Sequence, residues 1–570
     1  MNAAFFLFSS VLIRIFWPKF KPDVHWICPV LALALPFCAG GFHIATSAVL
    51  SAFLALALFE QIHHHYTVQL YINRNSISFL LLFIAYCVTP FWAADKGMAG
   101  FALAKYLPVI AFILLVMQQD DIRQKTLDLL PACGCFMTAA SALAACIPAL
   151  RPYVTVNGRL AGFFQYPNSF AAFLLVALIV HIFCSRPKHQ FLASLLLVIG
   201  IVLSGSKTVF VLMVLFMIAA VSVKGQSRLA MILGSALICG LAAGLLANAL
   251  GLMSNADRFT DIRTSSDTFL VRLLYFRDVI PTILSHPFGI GYMGYPAIEG
   301  AIQTGRYYVS YIHNEFLQLL LEVGWIPALF IAFSFLSALF SPKTDQMHRF
   351  ILLAVLAHCM LDFDLQFSVF WIILLCCVNI RSGKLLPAFR SHIICFLSIA
   401  LTAVSLWLGC GDYLYRSGKP ESCLSVTPFH TEALTYQMSI STDPHDIDAI
   451  ADQILSLNST HSLAFSGKAN VAFSQGDIAS MIRYKENAIQ SSRYTTEEYC
   501  DYFNKLCTAM QAYLQAGDAG SAAFCRKKLL EIPELMAAVS AQTHPLADII
   551  GDDSALVLPP QYAEVLQQLQ

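Results

Sequence analysis

The stretch VSYIHNEFLQLLLEVG, residues 309–324, attaches an imidazole to an apolar run. His313 stands at its start. Asn314, Gln318 and Glu322 follow at intervals of four, which places them on one face of a helix. An imidazole titrates close to neutral pH and can take a proton from a weak nucleophile such as a hydroxyl. Elsewhere the chain carries groups able to hold an anion or orient a base. Arg159, Gln165 and Asn168 lie in GRLAGFFQYPNSFAAF, and Lys207 lies in SGSKT. Arg272 and Arg277 lie in TFLVRLLYFRD, and His358, Asp362 and Asp364 in LAHCMLDFDLQF. Arginine binds two phosphate oxygens through a planar fork, whereas lysine offers a point charge. A base together with such cations suits the displacement of an anionic leaving group by a hydroxyl, provided that they share one site.

Whether they share one depends on the elements that carry them. The chain is 58% hydrophobic and 12% charged with mean hydropathy +0.66, which excludes an ordinary soluble protein. Apolar runs of about bilayer-crossing length recur up to residue 411. They cover 26–40, 43–60, 77–92, 104–117, 127–149, 169–184, 190–203, 208–223, 229–252, 313–340, 351–361, 367–380 and 392–411, with 1–17 a further candidate. The expected class is therefore an all-α, polytopic membrane protein with about 12–14 transmembrane helices. The Met1-Asn2 start has no basic region before its apolar run and no small-residue cleavage site, so no removed signal peptide is expected.

Lysine and arginine favour alternate short loops. One set holds Lys19, Lys21, Arg74, Arg123, Lys125, Arg186, Lys188, Lys224, Arg228, Lys343, Arg349, Arg381, Lys384 and Arg390. The other holds only Lys96, Lys105, Arg151, Arg159 and Lys207. The positive-inside rule makes the first set cytoplasmic. Residues 150–168, 204–207, 253–312 and 362–366, and the tail after 411, are then extracytoplasmic. The candidate groups thus fall at or near the same water-facing end. Each also has a plain structural reading. A histidine caps or hydrogen-bonds, a cation anchors a span at the headgroups, and the Asp362/Asp364 pair caps a helix. Convergence on one side favours chemistry. The run His63–His65 lies on the opposite side without further metal ligands.

Two domains are expected, 1–411 in the membrane and 412–570 soluble. From Asp412 onward ten Lys and Arg face nineteen Asp and Glu, so this tail is acidic and is not a partner for nucleic acid. Within it ANVAFSQGDIASMIRYKENAI and AMQAYLQAGDAGSAAFCRKKLLEI share a small-aromatic pair and a Gly-Asp turn at Gly476 and Gly517. This pattern resembles tetratricopeptide-type (TPR-like) hairpins, the alternative being an unrelated helical domain. Most of the seventeen cysteines lie in spans as small apolar residues, and none has metal-binding spacing. The 253–312 loop is long enough to be functional. It is expected to hold a surface helix broken near Pro287, followed by a turn at Gly289, Gly291 and Gly294.

The order of these segments resembles the O-antigen ligase superfamily, which also contains O-antigen polymerases and protein O-oligosaccharyltransferases. Arg159, Gly162, Pro167 and Asn168 match its outer-face Arg, Gly, Pro-Asn pattern. Ser206, Lys207 and Thr208 match its Ser-Arg-Thr turn with lysine in place of arginine. Arg272, Pro287, Gly289 and Gly291 match its Arg-bearing loop, His313, Asn314 and Glu315 its His-Asn helix start, and His358, Asp362 and Phe363 its late His-Asp-Phe segment. The resemblance covers roughly residues 77–380, and order and sidedness are what make these short motifs specific.

It implies transfer of a glycan from an undecaprenyl-pyrophosphate-linked donor to an acceptor hydroxyl on a glycan, lipid or protein. The place implied is the outer face of a bacterial cytoplasmic membrane. In that reading His313 is the base. Arg272, Lys207 and Arg159 bind pyrophosphate. Asn168, Asn314, Glu315, His358 and Asp362 support the site or bind sugar, with His358 the next candidate base. The enzyme would invert the anomeric centre and need no metal or other cofactor. Ligase, polymerase and protein glycosylase share this donor chemistry. The reading of another kind is a transporter or flippase for a lipid-linked glycan. It would need a polar path across the membrane, and the stripe ending at Glu322 is where one would start.

Overall fold

A computed structural model describes residues 24–65, 67–184, 190–252, 267–386, 389–550 and 556–569. The candidate span 1–17, Lys19, Lys21, Arg186, Lys188 and the start of the long loop, 253–266, lie outside the described residues, as do the side chains of His63–His65. Among the described residues the membrane part is built from α1 (Val24–Phe37), α2 (Ile44–His65), α3 (Arg74–Val88), α4 (Ala102–Gln118), α5 (Asp121–Ala145), α6 (Pro167–Cys184), α7 (Gln190–Ser204), α8 (Lys207–Lys224) and α9 (Ser227–Ala249). It continues through α10 (Asp267–Ser285), α11 (Gly294–Ile302), α12 (Glu315–Val323), α13 (Trp325–Phe340), α14 (Gln346–Cys359), α15 (Ser368–Cys377) and α16 (Ser391–Arg416). Among the described residues eight helices are long and apolar enough to cross a membrane, and four more are apolar but shorter. Apolar on every side, α6 is buried along almost its whole length and forms the centre of the bundle.

The run 313–340, continuous by hydropathy, is two helices. It breaks at Gly324, whose φ of 81° and ψ of −179° end one helix and start the next. The glycine turn of the long loop docks against the end of α12. Ile290 N donates to Leu321 O at 2.7 Å, Gly291 N to Glu322 O at 3.0 Å, and Trp325 N to Pro287 O at 2.9 Å. A side chain at Gly289, itself at φ 76°, would stand 2.4 Å from Glu322 O, so this approach needs glycine. Nine residues at 1.5 Å each give α12 roughly half a bilayer's thickness. The other boundary that moves is at 411. The helix α16 continues without interruption to Arg416, carrying Asp412 and its ion pair with Arg416.

The loops sort into two ends. At the end read as cytoplasmic, strands β1 (Thr67–Val68) and β2 (Tyr71–Ile72) pair antiparallel with β6 (Phe389–Arg390) and β5 (Lys384–Leu385), respectively. Asn73 Nδ2 donates to Ile380 O and Arg123 Nη1 to Val378 O, joining three loops of that set. At the other end β3 (Thr155–Val156) and β4 (Arg159–Leu160) form a hairpin around Asn157 and Gly158, at φ 49° and 68°. Among the described residues these short ladders are the strand addition to an otherwise helical protein. Asn-Gly between β-branched and apolar residues is a hairpin signal present in the sequence.

The tail is helical throughout its described part, α17 (Pro420–Val426), α18 (Thr431–Ile440), α19 (Pro444–Leu457), α20 (Ser462–Ser474), α21 (Ile478–Ser491), α22 (Thr496–Gln515), α23 (Ala519–Ser540), α24 (Pro545–Ile550) and α25 (Pro560–Leu569). The two Gly-Asp turns have one geometry. Gly476 and Gly517 lie at φ 77° and 78°, and Asp477 and Asp518 cap the next helix by accepting from Ser480 N and Ser521 N at 3.0 Å. Met481, Tyr499, Tyr502, Phe503, Leu506 and Leu529 fill the core between these hairpins. The tail rests on the end of the bundle that carries the long loop. Thr431 Oγ1 donates to Asp95 Oδ1 at 2.8 Å, Arg493 N to Gly300 O at 3.0 Å, and His544 N to Thr304 O at 2.8 Å.

Candidate active site

Asp362 is the point on which the end away from β1 and β2 converges. It sits in the turn after α14 and is 1% exposed. Tyr166 OH donates to its Oδ1 at 2.8 Å, and Asn168 Nδ2, in the first turn of α6, donates to Oδ2 at 2.7 Å. Arg272 reaches in from α10 with Nη2 3.3 Å from Oδ2. His313 approaches from the start of α12 with Nδ1 3.4 Å from Oδ1. Burial opposes ionisation of this carboxyl, but the facing His313 ring and Arg272 guanidinium outweigh it and hold it well below the usual carboxylate range.

Arg159 belongs to the same cluster one bond further out. The β3–β4 hairpin presents it so that Nη2 donates to Asn168 Oδ1 and Nε donates to Ser204 O at 2.7 Å, at the end of α7. The turn through Gly205, at φ 62°, then leads to half-buried Lys207 as the first residue of α8. Arg277 lies on α10 but binds elsewhere, 3.3 Å from Asp278 and 3.2 Å from Thr304 Oγ1. Gln165, at φ 59°, donates to Tyr153 O.

His313 has an uncommon backbone for a non-glycine residue, φ 59°. The left-handed region costs a residue with a Cβ about 1–2 kcal/mol, so neighbours must hold it there. Asn314 does so on one side as the N-cap of α12. Its Oδ1 accepts from Leu317 N at 3.0 Å and its Nδ2 donates to Met360 O at 3.0 Å. The ring packs edge-on against Phe363 at 5.0 Å and lies 6.0 Å from Tyr275, with the side chain 17% exposed. Nδ1 is buried, and its 3.4 Å separation from Asp362 is long for a hydrogen bond. Such contacts often tighten when substrate binds.

Two residues grouped with His313 by sequence stand apart from it. Glu315 follows it by two positions but points into the bundle, 2% exposed, with Gln366 Nε2 3.4 Å away. His358 is 1% exposed and pairs through Nδ1 with Asp364 Oδ2, while Ser169 Oγ donates to Asp364 Oδ1 at 2.6 Å. Tyr166 is the site residue that the motifs did not single out. Nothing in residue spacing marks it beyond its place before Pro167 and Asn168. The polar stripe of α12 is a row of fastenings. Gln318 Nε2 donates to Glu322 Oε1 at 2.8 Å, and Tyr86 OH to Glu322 Oε2 at 2.7 Å.

A partly exposed imidazole beside a buried carboxylate, with an arginine on the same carboxylate, can move a proton next to an anion. Residues 192–333 match the family model described as O-antigen ligase, a stretch that includes Lys207, Arg272 and His313. No curated protein and no solved structure matches the chain. The family match supports the O-antigen ligase and polymerase superfamily, and with it a ligase- or polymerase-type role in cell-surface glycan assembly at a membrane.

Proposed function

We propose that the chain transfers a glycan from an undecaprenyl-pyrophosphate-linked donor to an acceptor hydroxyl on the outer face of a bacterial cytoplasmic membrane. The observation that carries this is the meeting of His313, Arg272, and the neighbours Tyr166 and Asn168, from three separate segments, on one buried carboxylate. Asp362 faces Nδ1 of the His313 ring, so Nε2 is the nitrogen that takes the acceptor proton. As it does, the acceptor oxygen bonds to the anomeric carbon and the bond from that carbon to the pyrophosphate oxygen breaks. A single displacement of this kind inverts the anomeric centre. The pyrophosphate leaves as an anion, its growing charge stabilised by Arg272 with Arg159 and Lys207 behind it, and these cations need no metal to assist them. Asp362 orients the base and stabilises the imidazolium that forms. Asn314 fixes the start of the helix behind the base, and Asn168 links Arg159 to the carboxylate. Glu315 and His358 support the fold of the site from within. The tail lies outside the membrane with its TPR-like hairpins as a surface for acceptor or growing glycan.

The test measures donor binding and glycan transfer side by side on purified protein. His313→Ala and His313→Gln are expected to bind the lipid-linked donor as before and to lose transfer by about 10²–10⁴-fold, the contribution of a general base. Normal transfer by either variant, or loss of donor binding together with transfer, overturns the role given to His313.

A further inference from the structure

We propose that Gln318 is a positioning residue for the reaction, acting on His313 through the backbone of Ile312; this rests on the reading of His313 as the base. Gln318 is 1% exposed, on α12 and five residues after His313. Its Oε1 accepts from Ile312 N at 3.1 Å, and its Nε2 donates to Glu322 Oε1 at 2.8 Å. Ile312 is fully buried, so without that oxygen its N–H has no water to turn to. Glu322 is fixed in turn by Tyr86 OH at 2.7 Å and by Met293 N at 3.3 Å. Met293 lies between the glycine turn and α11, so this network also ties the base to the loop that descends from Arg272.

The left-handed backbone of His313 gives the amide orientation a consequence at the ring. The chain before His313 is held by Gln318 and the chain after it by Asn314, and between these two anchors φ stays at 59°. Release of the first anchor lets φ relax toward the common negative values, which swings the ring off the Asp362 carboxylate. Asn314 and Arg272 are untouched by that change, so donor binding persists while proton transfer suffers. Gln318 touches neither substrate nor ring, and its effect is geometric.

The experiment compares Gln318→Leu, His313→Ala and the paired exchange Gln318→Glu with Glu322→Gln in the full-length protein. The exchange keeps one carboxylate and one amide in the pair and restores an acceptor for Ile312 N. Gln318→Leu is expected to lower kcat by about 10²-fold, the cost of a misplaced reacting group, with KM for the donor unchanged. The exchange is expected to recover most of kcat. Normal kcat in Gln318→Leu beside an inactive His313→Ala overturns the positioning role alone. Normal transfer by His313→Ala overturns the underlying reading of the base. Equal loss of kcat and donor binding in Gln318→Leu, without recovery in the exchange, assigns Gln318 to folding and overturns the proposal as well.

Discussion

Two His-Asp pairs lie on either side of the same short turn, and they have opposite surroundings. His313 and Asp362 stand 3.4 Å apart with the histidine 17% exposed, and Asp362 also serves Arg272, Asn168 and Tyr166. His358 and Asp364 are in tight contact at 2% and 0% side-chain exposure, and the second oxygen of Asp364 is taken by Ser169. The residue types are identical and the carboxylates are two positions apart. Access separates them. A pair that substrate can reach is able to exchange a proton, whereas a sealed pair can only fasten α14, the turn and α6 to one another.

The largest expected effect is the split between the two histidines. His313→Gln should lose transfer and keep its melting temperature, and His358→Gln should do the reverse per folded molecule. Activity and thermal unfolding measured on the same detergent-solubilised samples check this, and a folded but inactive His358→Gln would break the comparison. Next comes the size of the structural loss. His358→Ala leaves the buried Asp364 carboxyl without its imidazole partner, which should cost about 3–5 kcal/mol of stability. Arg272→Ala should weaken transfer by about 2–5 kcal/mol, as a truncated buried charge contact does, and Arg272→Lys should recover part because it keeps charge but loses the fork. Titration of donor binding locates that loss: it should fall on the donor, in contrast to His313→Gln. The smallest pair sharpens the contrast most finely. Tyr166→Phe and Ser169→Ala each delete one hydrogen bond to a carboxylate, a change of about 1.5–3 kcal/mol. The first should appear in kcat and the second in thermal stability.

Much of the architecture was readable along the chain. Hydropathy located the apolar helices from α2 to α9 within a few residues, because each is a local property of about twenty side chains. Alternating Lys and Arg sorted the loops into two sets, and among the described residues the loops around Asn73, Arg123 and Ile380, all of one set, meet in space. The Gly-Asp turns of the tail were visible as pairs, since a left-handed glycine followed by a capping aspartate is a local signal. Hydropathy did not show the break at Gly324, which requires the Pro287–Gly291 backbone to arrive from another part of the chain. Nor did it show the end of α16, where the buried Asp412 meets Arg416 and the start of α2.

The sequence by itself determined the membrane class, the sorting of the candidate groups toward one end of the bundle, and the residue types available for proton transfer and anion binding. Those follow from composition and from order. Tertiary structure alone decided that Asp362 is the shared partner, that Glu315 turns inward, that His358 is sealed, and that Tyr166 joins the site. The physical reason is distance: Tyr166 and Asp362 meet across 196 positions of chain, and helical periodicity carries information over only a few turns. Which of two chemically equal buried carboxylates has a partner histidine open to solvent is fixed by how α6, α12 and α14 pack together, and that packing is a property of the whole bundle.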